Sequence, residues 1–305
     1  MSYRLTDDEV TDFAMDANEY IQNDPVYTSI LPIKRIKECY KHKWYVNTEI
    51  EGPESSKDGR FSTDVRTART EEEANVQSLV YTFEIPRVEM TMAQNAGVPL
   101  VSEALTAANR KMNRAILNLI FTGSNTWDKV SITGMYTGGT VCGTALGAVK
   151  WNTVVSPITH LAAGFGQLNT AGFKPPFTWA LSSNLAPGLI AKYGAGDPSH
   201  LSMIGDYGVS TSDLIFAENS GISTTPTTRF DLFPMGTPAA ADGMWFFYKK
   251  DPNFAYLAEV MPITVTINPE LDIRLQSYHS RVEWRGTVAI VQATSIVYEE
   301  EVDLV

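Results

Sequence analysis

The chain has 305 residues, 24 Lys and Arg against 35 Asp and Glu, a formal charge of −11 and a hydrophobic content of 44%. That length predicts two lobes, or one lobe with large excursions, around a proper core. The acidic balance excludes a surface that coats nucleic acid along its whole extent, leaving only local basic patches. Cys39 and Cys142 are the only cysteines, far apart and in no metal spacing, so they read as reduced thiols. The polar start MSYRLTDDEV is no secretory signal, no apolar run approaches the ~20 residues of a membrane span, and no Asn-x-Ser/Thr sequon occurs. The expectation is a protein made in the cytoplasm.

Taken in order, residues 6–22 predict a short amphipathic helix. Thr6 and Glu9 form a capping box, and Val10, Phe13, Ala14, Ala17, Tyr20 and Ile21 recur at helical spacing. It either packs on its own domain or serves as an arm on a neighbour. Lys34, Arg35, Lys37, Lys41 and Lys43 crowd the next stretch, a solvated basic face before it is a phosphate contact.

Lys43 to Ile50 alternates as a strand with Trp44, Val46, Thr48 and Ile50 on one side; Leu79, Tyr81, Phe83 and Ile85 alternate again. Between them, EGPESSKDGRFSTDVRTARTEEEANVQS carries one large apolar residue, Phe61. A polar connection this long is uncommon inside a compact domain. It is either disordered or an extended hairpin that packs on another molecule. Lys57, Arg60, Arg66 and Arg69 against Asp58, Asp64, Glu71, Glu72 and Glu73 suit salt-bridged contact with a copy of itself.

Residues 98–123 predict one long helix. Val101, Leu105, Ala108, Met112, Ala115, Ile116, Leu119 and Ile120 share a broad stripe, with Arg110, Lys111 and Arg114 opposite. Leu117 and Phe121 bury the last turns all round, and Gly123 stands at the stop. At about 1.5 Å per residue the rod is roughly 30 Å long, the width of a small domain.

Residues 124–150 read as a Gly/Thr-rich excursion with short strands. Ser156-Pro157 opens a helix carrying Leu161, Phe165 and Leu168. Phe177–Leu181 is a buried strand, and Ser183 or Asn184 starts a short helix through Leu189 and Tyr193. Asp213–Ala217 and Met244–Tyr248 are strands, completing a small α/β lobe. The tail returns to β through Ile263, Val265 and Ile267, then Val282 and Trp284, then the long apolar run Val288–Tyr298, with Glu299–Glu301 expected in solvent.

Chemistry is hard to find. His42, His160, His200 and His279 show no H-x-x-x-H or H-x-E pairing, Gly194-Ala195-Gly196 lacks the context of a dinucleotide loop, and no phosphate loop or nucleophile elbow occurs. Asp206, Asp213 and Asp231 have no spacing that marks a catalytic pair. No catalytic, cofactor-binding or metal residue is assigned.

The order of these features resembles the major capsid proteins of tailed viruses with the HK97-type fold, which cellular encapsulin shells share. YTFEIPRVEMTMAQNAG entering the helix and ALTAANRKMNRAILNLIFTGS ending it look like the family's extended-loop strand and spine helix. GMWFFYKKDP, Tyr278–Arg285 and the last apolar strand look like the closing part of a phage subunit. The resemblance implies an α+β fold with an N-terminal arm (1–43), an extended-loop hairpin and strand (44–90) and a peripheral domain holding the spine helix (91–149). It further implies an α/β axial domain (150–260) and C-terminal strands (261–305).

It also implies a viral major capsid protein, not an enzyme and without a cofactor, that assembles as pentamers and hexamers around non-specifically packaged double-stranded DNA. Portal, scaffold and decoration proteins are further partners, and the virion capsid the location. Lys57, Arg60, Phe61, Arg66, Arg69, Glu71, Glu72 and Glu73 become candidate intersubunit contacts, and Arg110, Lys111 and Arg114 a candidate lumen face. Some relatives join Lys to Asn from this loop. Lys57 is the only lysine there, and no Asn partner is identifiable. The rivals are an encapsulin-type nanocompartment and a monomeric α/β enzyme with an unrecognised site.

Overall fold

In a computed structural model, the structure describes residues 26–49, 67–96, 100–123, 132–143, 156–182, 185, 189, 203–217, 243–272 and 277–302. The helix expected over 6–22, the loop tip 50–66 and most of the helix expected after Ser183 lie outside the described residues.

The chain enters through a short helix α1 (Val26–Ile30) and strand β1 (Ile33–Arg35), then β2 (Lys41–Glu49), β3 (Thr67–Asn75) and β4 (Gln77–Pro86). Helices α2 (Arg87–Ala96) and α3 (Leu100–Thr122) follow, then α4 (Met135–Gly138), β5 (Thr140–Val141) and α5 (Ser156–Thr170). The remainder is β6 (Phe177–Ser182), β7 (Val209–Ala217), β8 (Gly243–Tyr248), β9 (Ala255–Asp272), β10 (Ser277–Ile290) and β11 (Ile296–Val302). Short 3-10 turns sit at Ile204–Tyr207 and Ala293–Ser295.

The long helix lies where its stripe predicts. Leu105, Met112, Ile116 and Ile120 are fully buried with Ala108 and Leu119, and Leu117, Asn118 and Phe121 close the last turns all round. Gly123 ends it at φ +80°, its N–H bonded to the Leu119 carbonyl at 3.0 Å. A Cβ there would sit 2.2 Å from the Ile132 carbonyl oxygen, so only glycine fits.

Two sheets flank this helix. The first has order β1-β9-β10-β4, with β10 antiparallel to both long neighbours. The inward side chains Leu79, Tyr81, Phe83, Val282 and Trp284 meet the α3 stripe. The second is mixed, of order β5-β11-β8-β6-β7. Met244, Phe246 and Tyr248 of β8 face the α3 core, while Trp245 and Phe247 face a second core under α5 with Leu161, Leu168 and Phe177. A strand covered on both faces reads as the unbroken apolar run MWFFY.

Three details depart from expectation. The apolar run Val288–Tyr298 is two strands, because a turn at Ala293–Ser295, held by the Ser295 hydroxyl on the Gln292 carbonyl (2.6 Å), passes the chain from the first sheet to the second. Glu299, expected in solvent, is half-buried within β11 beside β8. Residues 87–96, expected to continue the extended approach to the long helix, form α2. Pro86 has no N–H to carry the ladder further, and the Thr91 hydroxyl bonds back to the Arg87 carbonyl.

A buried carboxylate ties the inner end of the N-terminal region to the first sheet. Glu259 Oε1 accepts from Trp284 Nε1 at 3.1 Å and from the Tyr27 hydroxyl at 3.4 Å. Burial, then the Glu259 charge, drives the Tyr27 phenol above its ordinary range, so it stays a donor.

Candidate assembly surfaces

The ribbon of β2 and β3 leaves the first sheet as a separate two-stranded unit. Its antiparallel register runs from Lys41 opposite Asn75 to Glu49 opposite Thr67. Among the described residues β2 and β3 pair only with each other, so both outer edges are open. The polar strand TARTEEEAN holds because its acids meet the lysines of β2 on the diagonal. Lys41 Nζ lies 2.5 Å from Glu73, and Lys43 pairs with Glu71. The Lys41 bond pulls the Glu73 carboxyl below its ordinary value, and the Glu71 bond raises Lys43.

The opposite side of β2 touches the body. His42 Nε2 and the Tyr256 hydroxyl are hydrogen-bonded at 2.8 Å, and the His42 ring stacks on Trp44 at 5.9 Å. Burial, then the Lys34 charge, holds His42 below its ordinary pKa, while burial raises Tyr256. Arg285 Nη1 on Glu38 at 3.0 Å is a second tie. Tyr40 (95% exposed) and Tyr45 (59%) leave aromatic surface uncovered around the ribbon.

The candidate contact residues divide accordingly. Lys57, Arg60, Phe61 and Arg66 lie outside the described residues, and Arg69 stands opposite Asn47 in the register. Glu71 and Glu73 are held by lysines of their own chain, while Glu72 is exposed opposite Trp44. On α3, Arg110 and Lys111 are exposed and Arg114 is half-buried.

Sequence reasoning missed a further surface. Helix α2 buries Met90 but turns Val88 (64% exposed) and Met92 (65%) to solvent on one face. The signal was present: Val88 and Met92 are four apart after a proline.

Reactive side chains are dispersed. His160 accepts from Trp245 Nε1 at 3.1 Å in the second core, and His279 lies 3.2 Å from the Ser277 hydroxyl. Asp206 is exposed on a 3-10 turn, Asp213 accepts from Ser210 at 2.5 Å on β7, and Asp231 lies outside the described residues. Among the described residues no three His, Cys, Asp or Glu gather as a metal site, and no helix is long and apolar enough to cross a membrane.

Neither a protein-family model nor a curated protein matches the sequence. The structure does find counterparts. A virus-like particle from Pyrococcus furiosus superposes with a TM-score of 0.63 at 12% identity, over 95% of this chain and 98% of that one. Mycobacterium phage Ogopogo gives 0.64 at 13%, over 90% and 91%, and the capsid of Myoviridae phage XM1 gives 0.57 at 13%, over 86% of each. The chain has an HK97-type capsid fold. Identities this low show architecture alone.

Proposed function

We propose that the chain is a viral major capsid protein, a subunit of an icosahedral shell that encloses double-stranded DNA. The observation that carries this reading is likeness over nearly the full length of shell subunits, 86–98% of three neighbours. The ribbon with open edges supports it, because such an element gains its missing contacts from other copies.

In this reading α3 is the spine helix of a peripheral domain (91–149), and the region 150–260 is the axial domain. The C-terminal strands (261–305) complete both. The arm (1–43) is anchored at its inner end by α1 and β1, and the extended loop (44–90) lies across a neighbour with Glu72, Arg69 and the tip residues as contacts. Heterologous contacts repeated around rings of five and six close the shell. Arg110, Lys111 and Arg114 face the lumen, where a few cations on a chain of charge −11 hold DNA loosely.

Negative-stain microscopy of the purified protein tests the proposal. Closed isometric particles are the expected result, and a monodisperse monomer at all concentrations overturns it. Nucleic acid recovered from particles made during infection supports the DNA container, whereas particles filled with one enzyme point to a nanocompartment.

A further inference from the structure

A groove of about 770 Å³ opens between the ribbon and the body. Lys34, Trp44, Tyr45, Phe254 and Tyr256 line it, with Pro252 and Asn253 at one end. Lys34 Nζ lies over the Tyr256 ring at 4.9 Å, and no carboxylate pairs with it among the described residues. The Trp44 indole N–H is buried without an acceptor. A cation without an anion, a donor without an acceptor and an aromatic ring half in solvent define a site for an acidic segment that also carries apolar side chains.

The chain contains such a segment. Residues 1–25 hold seven carboxylates, from Asp7 to Asp24, against one arginine, with Val10, Phe13, Tyr20 and Ile21 interspersed. They join the described chain at Val26, beside the groove: Lys250 Nζ donates to the Ser29 carbonyl at 2.5 Å, and the turn after Lys250 supplies Pro252 to Phe254. Even wholly helical, 25 residues at about 1.5 Å each reach roughly 37 Å, enough to return along it.

We propose that the acidic amino-terminal segment, residues 1–25, seats in this groove of its own chain. Its carboxylates neutralise Lys34 and supply the acceptor for Trp44, and its apolar side chains cover Tyr45 and Phe254. The segment then braces the ribbon against the body. The seating involves one chain only, so it is read on dissociated subunits whether or not particles form.

Zero-length carbodiimide coupling joins carboxylates to amines in contact. Applied to a mixture of unlabelled and nitrogen-15-labelled full-length protein, with Lys43–Glu71 coupling as internal control, it should join Lys34 to acids between Asp7 and Asp24 within single-isotope peptides. In Lys34→Glu, chymotrypsin should cut after Phe13 and Tyr20 about fivefold faster, the scale of one lost surface ion pair. Mixed-isotope links move the segment to another copy and overturn the proposal. Absence of a Lys34 link beside a working control, or unchanged cleavage in Lys34→Glu, overturns it too.

Discussion

Gly286→Ala should destabilise the subunit far more than its size suggests. Gly286 sits in β10 where the register with β9 shifts, and the Trp284 indole lies across it. A Cβ would come 2.5 Å from Trp284 Cζ2, 2.7 Å from Cη2 and 2.8 Å from the Ala258 carbonyl oxygen. Trp284 is fully buried, so it has no empty space to enter. Overpacking costs about 1–3 kcal/mol, and tilting the indole away from Glu259 leaves a buried carboxylate short of its 3.1 Å donor, about 1–3 kcal/mol more. At about 2–4 °C per kcal/mol, the thermal midpoint of dissociated subunits should fall by roughly 5–20 °C. Gly166→Ala is the control: its Cβ meets nothing within 4 Å, and relief of glycine's backbone entropy in α5 should add about 0.5–1 kcal/mol. A midpoint for Gly286→Ala equal to wild type, or the same loss in a Trp284→Phe background, would refute the reasoning.

Gly164→Leu should cost about 1–3 kcal/mol in urea titrations, since even a Cβ lies 3.2 Å from Phe247 and the added methyls have only the packed second core to enter. His42 is neutral in the fold below its ordinary pKa, so the unfolded chain binds its proton first; stability should fall as pH drops below about 6.5, and His42→Asn should remove that part of the slope in chemical denaturation. Replacing 50–66 by Asn-Gly should leave the thermal midpoint of the subunit near wild type and abolish particles in micrographs; particles from the shortened chain would refute the role given to the loop. Amide exchange in the part of the ribbon beyond the groove, 47–49 and 67–69, should be rapid in dissociated subunits and slow in particles, and equal protection there would show that this end is completed by its own chain.

Periodic segments were legible because one physical demand shapes each. Leu105, Met112, Ile116 and Ile120 answer to a single core, and their spacing, with Gly123 marking the stop, placed the helix within two residues of its observed start and one of its end. MWFFY was legible as a strand, but not that its alternate residues belong to two cores, because a sequence does not say what lies on either side of it. Helix α2 escaped because its exposed Val88 and Met92 blur the polar face by which a surface helix is recognised. The break at Ala293–Ser295 escaped because Gln292 to Ser295 carry neither Gly nor Pro; a hydroxyl and a backbone carbonyl make the turn. The tie of His42 to Tyr256 spans 214 positions and was invisible to local pattern.

The division of labour within the molecule follows from where each element finds its partners. The body is self-sufficient: three tryptophans, Trp179, Trp245 and Trp284, are fully buried, and β8 is covered on both faces. The ribbon is not. A lone pair of strands is marginal in water, and here the contacts between its strands on one side are Lys–Glu pairs about half in solvent, worth little individually and screened by salt. Those pairs do set the register, since sliding β3 by one residue would put Glu72 where Glu71 and Glu73 face the lysines. Charge therefore fixes how the ribbon is aligned, and the body, through His42 and Glu38, fixes where it starts. What neither supplies is burial along its length. Under the proposed shell role that burial comes from the next subunit, and a rigid body with a ribbon completed by its neighbours is then one design.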